Sequence, residues 1–163
     1  MNYKRLGCIA ALFVVLIFPV PASMVSFLVV ETGIDEAIPS TEFGMLWEGA
    51  LMSSFFDAGH IVTNSPIKRM EKKPAQDLTG LIRNDFDEAL MGGAEYFILG
   101  YLDHEIQGRN VIPLQITIKT YKTETKELIF EQKFPVGNTT NLRDEILFAQ
   151  DAGWIIVSNL KGR

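Results

Sequence analysis

The chain has 163 residues, of which 20 are Asp or Glu and 15 are Lys or Arg, so its formal charge is −5. This length suits one domain built around a single apolar core. An acidic chain without interleaved basic and aromatic side chains argues against nucleic acid as a partner.

Residues 1–22 form a predicted export signal. Two basic residues precede the uncharged stretch 6–20, which is the pattern of a charged n-region followed by an apolar h-region. We place the cleavage after Ala22, which leaves 23–163 as a single α/β domain with 13 basic and 20 acidic residues. An uncleaved membrane anchor is the alternative, because the apolar character continues past this point. Membrane contact is expected only if the signal is retained.

Cys8 is the only cysteine and lies within the predicted signal. The mature domain is therefore expected to contain no disulfide and no thiol nucleophile. Leu6-Gly7-Cys8 is similar to the end of a lipobox, but the apolar run follows this cysteine, whereas it should precede a lipidated one.

The next part of the chain predicts a β-α-β unit. Residues 24–31 form a nearly continuous apolar run, typical of a strand buried on both faces. A helix follows, with Ser40 as its N-cap and Gly59 at its end. The apolar face of this helix has three- and four-residue spacing: Phe43, Leu46, Trp47, Ala50, Leu51 and Phe55. Residues 60–63 then form a short strand with a right-handed crossover.

Two residues of this helix need a separate interpretation. Ser54 interrupts the apolar face and, since no Gly-x-Ser-x-Gly elbow occurs, is interpreted as a small residue at a close helix-to-sheet contact. Phe56 adds a large apolar group beyond what one face requires. It either lines a partner groove or packs against a neighbouring element.

A polar connection over 64–76 leads to a second helix that starts near Asp77 and ends at Gly92-Gly93. The apolar residues of this helix are Leu78, Leu81, Ile82, Phe86, Ala89 and Leu90. Residues 95–102 form a third buried strand.

The remaining sequence predicts a hairpin and a last helix. Residues 111–122, expected to be half-exposed, and 128–134 alternate apolar and polar side chains on either side of a short turn. Asn141 and Asp144 resemble a capping box. The stripe of the helix that follows contains Leu142, Ile146, Ala149, Ile156 and Leu160, and Gly153 weakens this helix by about 1 kcal/mol relative to alanine.

Together these elements predict an α/β fold in which helices cover a mixed β-sheet, in the order β-α-β-α-β-β-β-α. The first three strands are expected to be parallel and the last two to form an antiparallel pair. This topology places every element in one domain.

No residue pattern predicts catalysis. Neither His60 nor His104 has a partner at metal-ligand spacing. In Asp103-His104-Glu105 the two carboxylates share one side of a strand and the histidine points to the other, so we interpret this segment as a solvated strand end. We predict no catalytic residue, no cofactor and no metal. A small hydrolase that uses Asp103 or Glu105 is the alternative from another functional class.

One basic cluster stands out on this acidic chain: Lys68, Arg69, Lys72 and Lys73. Most such clusters are solvated loops. The sharper hypothesis is that these four residues contact an acidic surface on a partner protein, where charge steers association.

Several phrases resemble a family of bacterial envelope domains. Residues 93–100, GAEYFILG, resemble its Gly-Ala-Asp-Tyr phrase, and residues 118–130 resemble its strand, Thr-Gly-Glu turn and strand. Residues 55–62 resemble its first helix end and second strand. The family includes the curli-secretion lipoprotein CsgG, the penicillin-binding-protein activator LpoB and the amino-terminal domain of TolB. Lys126 replaces the turn glycine, and Arg69 is the one candidate for an arginine that usually follows the second strand.

The resemblance implies an exported, periplasmic and non-catalytic domain that binds another envelope protein or assembly. It does not imply an export channel, because the chain has no long insertion for a pore strand pair. A membrane-anchored assembly subunit is the remaining alternative. The sequence leaves the identity of the partner and the oligomeric state open.

Overall fold

The computed structural model describes residues 22–35, 41–108 and 110–161. The elements in chain order are β1 (Met24–Thr32), α1 (Glu42–Asp57), β2 (Ile61–Asn64), β3 (Lys68–Met70), α2 (Gly80–Met91), β4 (Tyr96–Gln107), β5 (Asn110–Lys122), β6 (Glu127–Pro135) and α3 (Leu142–Lys161). The predicted fold class is confirmed, with β3 as an additional strand. The proposed N-cap Ser40 and the export signal up to residue 21 lie outside the described residues.

The strands form one mixed sheet in the order β2-β1-β4-β5-β6, and β3 also pairs with β1. β1 is parallel to β2, β3 and β4, whereas β4, β5 and β6 are antiparallel neighbours. These pairings confirm the predicted strand directions. Residues 25–30 of β1 are all buried, which confirms a strand covered on both faces.

Helices cover both faces of the sheet. α1 and α3 pack on one face, where Phe27, Trp47 and Phe55 are among the core residues. α2 packs on the other face, where Phe86 and Phe97 form part of a second core. None of the helices in the described part of the chain has both the length and the apolar character needed to cross a bilayer.

Two expectations for the middle of the chain are wrong. The segment 64–76 is not entirely a connection, because Lys68–Met70 form β3 and pair with the end of β1. In α2, Leu81 and Leu90 are 51% and 39% exposed, because the buried face of that helix passes through Ile82 and Phe86 instead.

The predicted C-terminal ends of α1 and α2 agree with the backbone, but the predicted starts are wrong. The cap of α1 is Thr41 and not Ser40, and α2 begins at Gly80 and not near Asp77. Thr41 caps α1, since its hydroxyl accepts a hydrogen bond from the Gly44 N–H at 3.1 Å. Gly59 and Gly93, just beyond α1 and α2, have φ values of +91° and +84°. In the β5–β6 turn Lys126 adopts φ +60°, which is the left-handed conformation that glycine adopts most easily. A lysine therefore occupies the position of the glycine in the Thr-Gly-Glu turn that this segment resembles.

The strand β5 is buried on both sides over much of its length, so the half-exposed expectation is wrong there. Thr117 and Thr120 are both fully buried, because β5 lies between β4 and β6 and both of its faces are covered over residues 116–121. Ile116 and Ile118 belong to the core on the α1/α3 face, and Tyr121 belongs to the core on the α2 face. Its pairing with β6 is interrupted: Thr120 is opposite Phe130 and Tyr121 is opposite Leu128. Ile129 is therefore an extra residue in β6, as in a β-bulge.

The close contact at Ser54 joins two helices and not a helix and the sheet, which corrects the sequence interpretation. The Ser54 Oγ lies 3.0 Å from the carbonyl oxygen of Gln150 in α3. A Cβ added at Gly153 would lie 2.7 Å from both Cβ and Oγ of Ser54. Gly153, which the sequence indicates only as a weak point of the helix, therefore allows α3 to approach α1 closely.

Candidate functional site

A polar cluster lies at the carboxyl ends of the parallel strands, where α/β sheets commonly bind ligands. Its centre is Glu31, a fully buried carboxylate at the end of β1. Glu31 Oε1 accepts hydrogen bonds from the Thr41 hydroxyl at 2.5 Å and the Thr41 N–H at 3.0 Å. Its Oε2 lies 3.2 Å from Arg69 Nε of β3. A Cβ at Gly44 would collide with the same carboxylate, so α1 begins directly over it.

His104 completes this cluster from β4. Its Nε2 lies 3.4 Å from the Thr41 hydroxyl oxygen, and the residue is only 7% exposed. Burial lowers the pKa of His104, although nearby Glu31 and the backbone carbonyls of Thr32 and Leu102 act in the opposite direction. The polar groups of the cluster are directed at one another. The cluster therefore joins β1, β3, β4 and the start of α1.

Asp103 and Glu105 do not form a common site with this histidine. Asp103 accepts hydrogen bonds from the Thr32 hydroxyl at 2.6 Å and the Gln115 amide at 3.0 Å, whereas His104 faces the start of α1. This confirms that the histidine and the aspartate point to opposite faces of the strand. Glu105 is exposed, but the solvated-end interpretation is wrong for His104, because β4 stays paired with β5 as far as Gln107.

The structure separates the four residues of the basic cluster. Lys68 pairs with Asp85 of α2, and its Nζ lies 2.6 Å from the Leu81 carbonyl oxygen. Arg69 faces Glu31. Lys73 places its Nζ 4.6 Å from the centre of the Tyr101 ring, and Lys72 is exposed. Lys68 and Arg69 thus hold β3 in the fold. The hypothesis that all four basic residues contact an acidic partner surface stays a prediction.

An apolar groove runs along the outer surface between α1 and α3. We call it the α1/α3 groove. It has a volume of about 550 Å³ and is lined by Glu42, Met45, Leu46, Gly49, Ala50, Ser53, Leu142, Ile146 and Gln150. Met45, Leu142 and Ile146 are 56%, 43% and 40% exposed. Leu142 and Ile146 belong to the stripe predicted for α3, but they do not lie on its buried face. The helical period of α3 could not reveal this, because its buried face passes through Glu145 and Ala149 instead.

A buried carboxylate fixes the two helices at one end of the groove. Glu145 of α3 accepts hydrogen bonds from Trp47 Nε1 of α1 at 2.9 Å, the Gly137 N–H at 3.2 Å and the Thr139 hydroxyl at 2.8 Å. A buried charge with several donors is strongly held in place. The walls of the α1/α3 groove are therefore fixed relative to each other before any partner binds.

Within residues 22–35, 41–108 and 110–161, no three His, Cys, Asp or Glu side chains come close enough together to hold a metal ion. The described residues thus offer two features of functional interest. One is the internal Glu31 cluster, which is closed on itself, and the other is the open α1/α3 groove.

The described elements define a class of α/β domain with a mixed sheet between helices, and this class occurs in solved structures. No protein-family model matches the chain, and no curated protein matches it. A dodecameric PelC from Paraburkholderia phytofirmans has a TM-score of 0.53 at 11% identity, over 87% of this chain and 90% of that one. TolB from Acinetobacter baumannii has a TM-score of 0.44 at 13% identity, over 86% of this chain and 29% of that one.

The C-terminal domain of LpoB from Salmonella enterica has a TM-score of 0.42 at 14% identity, over 71% of this chain and 82% of that one. TolB and LpoB are among the envelope proteins that the sequence phrases resemble. At these identities the likeness concerns the fold alone, and of these three structures PelC is the one with a TM-score above 0.5.

Proposed function

We propose that this chain is an exported, non-catalytic protein of the bacterial cell envelope that binds another envelope protein through the α1/α3 groove. The groove is the observation that carries this proposal. Three of its lining residues expose two fifths or more of their large apolar side chains to solvent. Contiguous apolar surface of this kind marks interaction sites on soluble domains.

The polar residues support a binding role over chemistry. Glu31 is fully buried and hydrogen-bonded, and Asp103 is bonded to Thr32 and Gln115. Catalytic carboxylates need access to a substrate in a cleft, and these two carboxylates are directed at other protein groups. The hydrolase alternative names Asp103 and Glu105; Glu105 is exposed, with the Gln107 amide 3.3 Å from its carboxylate. Neither residue lines the α1/α3 groove, so no specific observation favours that alternative.

The position of β1 is compatible with removal of the predicted signal. Cleavage after Ala22 leaves β1, which begins at Met24, intact. The sequence resemblance to the CsgG, LpoB and TolB family supports the periplasm as the compartment. The mass of the protein purified from its host tests this part, because a cleaved chain would lack residues 1–22.

Photo-crosslinking in intact cells tests the binding role. A photo-reactive amino acid at position 45 lies on the rim of the α1/α3 groove, and one at position 81 is a matched control on α2, across the sheet. The two native side chains, Met45 and Leu81, are 56% and 51% exposed. We expect position 45, and not position 81, to crosslink to an envelope protein identified by mass spectrometry. Equal products at both positions, or none, would contradict the proposal.

PelC was solved as a dodecamer, so a second copy of this chain is one partner that the same experiment can report. A crosslinked product with twice the mass of the chain would identify it. An envelope protein of another sequence in the product would identify a heterologous partner.

A further inference from the structure

We propose that the segment bound in the α1/α3 groove is a cationic amphipathic helix of the partner protein. This inference rests on the proposed function and specifies the chemistry of its partner.

The groove has the shape of a helix-binding site. Its walls are α1 and α3, which run in the same direction. Trp47 of α1 contacts Glu145 of α3, and further along both helices Ser54 of α1 contacts Gln150 of α3. The lining part of α1, residues 42–53, spans roughly 16 Å at 1.5 Å per residue, which matches about three turns of a bound helix. Gly49, Ala50 and Ser53 line the groove with small side chains, and larger apolar residues form its rim. Apolar grooves of this form accept the apolar face of an amphipathic helix.

Gly49 has no role inside the fold that would account for a glycine in the middle of a helix. A Cβ at Gly49 would meet no atom within 4 Å, whereas one at Gly44 or Gly153 would meet Glu31 or Ser54. A glycine in a helix interior is about 1 kcal/mol less favourable than alanine. At Gly49 the absent side chain leaves room for an approach from outside, as a bound helix requires.

The charges of the two walls select a cationic occupant. Among the described side chains of the two helices, four exposed residues are acidic and one is basic: Glu42, Asp57, Asp144 and Asp151 against Arg143. Glu145 is buried and Glu48 faces Asn64 of β2, so neither of these is counted. Glu42 lines the groove itself, and Asp57 is exposed at the far end of α1. Lys or Arg beside the apolar face of the bound helix would meet these carboxylates. Met45 on the rim has a flexible side chain that adapts to helices of differing sequence.

The same charges disfavour two other occupants. A second copy would bring another acidic α1/α3 surface against this one, and like charges across an interface are unfavourable. An anionic lipid surface would be repelled for the same reason. Binding of a second copy is also measured in the test.

The test uses the processed protein purified from its host and two synthetic 18-residue amphipathic helices. One helix consists of Leu and Lys, and the other has Glu in place of every Lys. Binding is measured by the fluorescence anisotropy of the labelled peptides. The key variant is Gly49→Leu, which fills the groove. Gly80→Leu is the matched control, because Gly80 is also exposed, helical and open to an added Cβ, but lies on α2.

We expect the Leu/Lys helix to bind at least tenfold more tightly than the Leu/Glu helix, and less tightly as salt is raised. Gly49→Leu should weaken this binding at least tenfold, and Gly80→Leu should change it less than twofold. Circular dichroism of both variants confirms that the fold is retained. Equal binding of the two helices would overturn the charge argument, and unchanged binding by Gly49→Leu would overturn the location.

Two further outcomes separate this inference from the proposed function. If position 45 crosslinks to an envelope protein but the Leu/Lys helix does not bind, the groove is a binding site and the partner chemistry is wrong. If neither result is obtained, the proposed function itself is wrong. A dimer in sedimentation that Gly49→Leu dissociates would show that a second copy, and not a cationic helix, occupies the groove.

Discussion

Alanine at Gly153 and alanine at Gly49 should change stability in opposite directions. Both residues lie inside helices, so both substitutions gain about 1 kcal/mol in helix propensity. At Gly153 the new Cβ would lie 2.7 Å from Cβ and Oγ of Ser54 and 3.6 Å from Cα of Leu51. Backbone and short side-chain atoms cannot move aside easily, so α3 must shift away from α1.

The magnitude follows from two opposing contributions. Overpacking of a methyl group into a tight contact costs about 1–3 kcal/mol. The shift also weakens the hydrogen bond between Ser54 and the Gln150 carbonyl, a loss of about 0.5–1.5 kcal/mol. After the gain in propensity, Gly153→Ala should be about 0.5–3.5 kcal/mol less stable than the wild type. Gly49→Ala meets no atom and should be about 0.5–1 kcal/mol more stable.

Urea denaturation followed by circular dichroism measures both effects, and an unchanged m-value confirms that the same transition is compared. A Gly153→Ala protein as stable as the wild type would refute the close packing of α1 on α3. A Gly49→Ala protein that is less stable would show that the surface of α1 at this point is not open.

Three further predictions concern the turn and the buried cluster. Lys126→Gly should raise the melting temperature. It relieves a lysine in the left-handed conformation, worth roughly 1–2 kcal/mol, and adds a smaller entropic cost, so the free energy of unfolding should rise by about 0.5–1 kcal/mol. A lower melting temperature would contradict this prediction. Glu31→Gln removes the buried charge that Arg69 faces and should lower the free energy of unfolding, measured by urea denaturation, by about 3 kcal/mol. Glu71 is exposed, so the control Glu71→Gln should change this free energy by less than about 0.5 kcal/mol. The pKa of His104 in the folded protein lies below its ordinary 6.5, so the unfolded chain binds a proton at this histidine more readily than the folded chain does. The contribution of neutral His104 to the free energy of unfolding is therefore complete above about pH 6.5 and decreases as the pH falls below that value. His104→Gln should make the stability between pH 6.5 and 5 less dependent on pH, and an unchanged slope would exclude His104 as the cause.

The elements with strong local patterns were predictable from the sequence. The apolar run of β1, the alternation in β5 and β6, and the glycines that end α1 and α2 each have a local physical cause. Asn141 also caps α3 as expected, since its Oδ1 accepts the Asp144 N–H at 3.0 Å. Local pattern and global fold agree at these positions.

The features that the sequence did not predict depend on contacts between distant residues. β3 has three residues and two charged side chains, and it pairs with β1 while Lys68 and Arg69 contact carboxylates in α2 and β1. Likewise, the apolar residues Leu142 and Ile146 are exposed because α3 directs Glu145 inward to the Trp47 indole. Periodicity indicates which residues share a face of a helix. It does not indicate which face is buried when a hydrogen bond to a distant residue determines the orientation of the helix.

The bulge at Ile129 has a consequence for how molecules of this protein can associate. β6 is the edge of the sheet, and an edge with a regular row of backbone donors and acceptors invites another strand to join. The extra residue breaks the spacing of that row and increases the local twist. Continuous growth of the sheet from one molecule into the next is thereby discouraged, which protects the domain against fibre formation at this side.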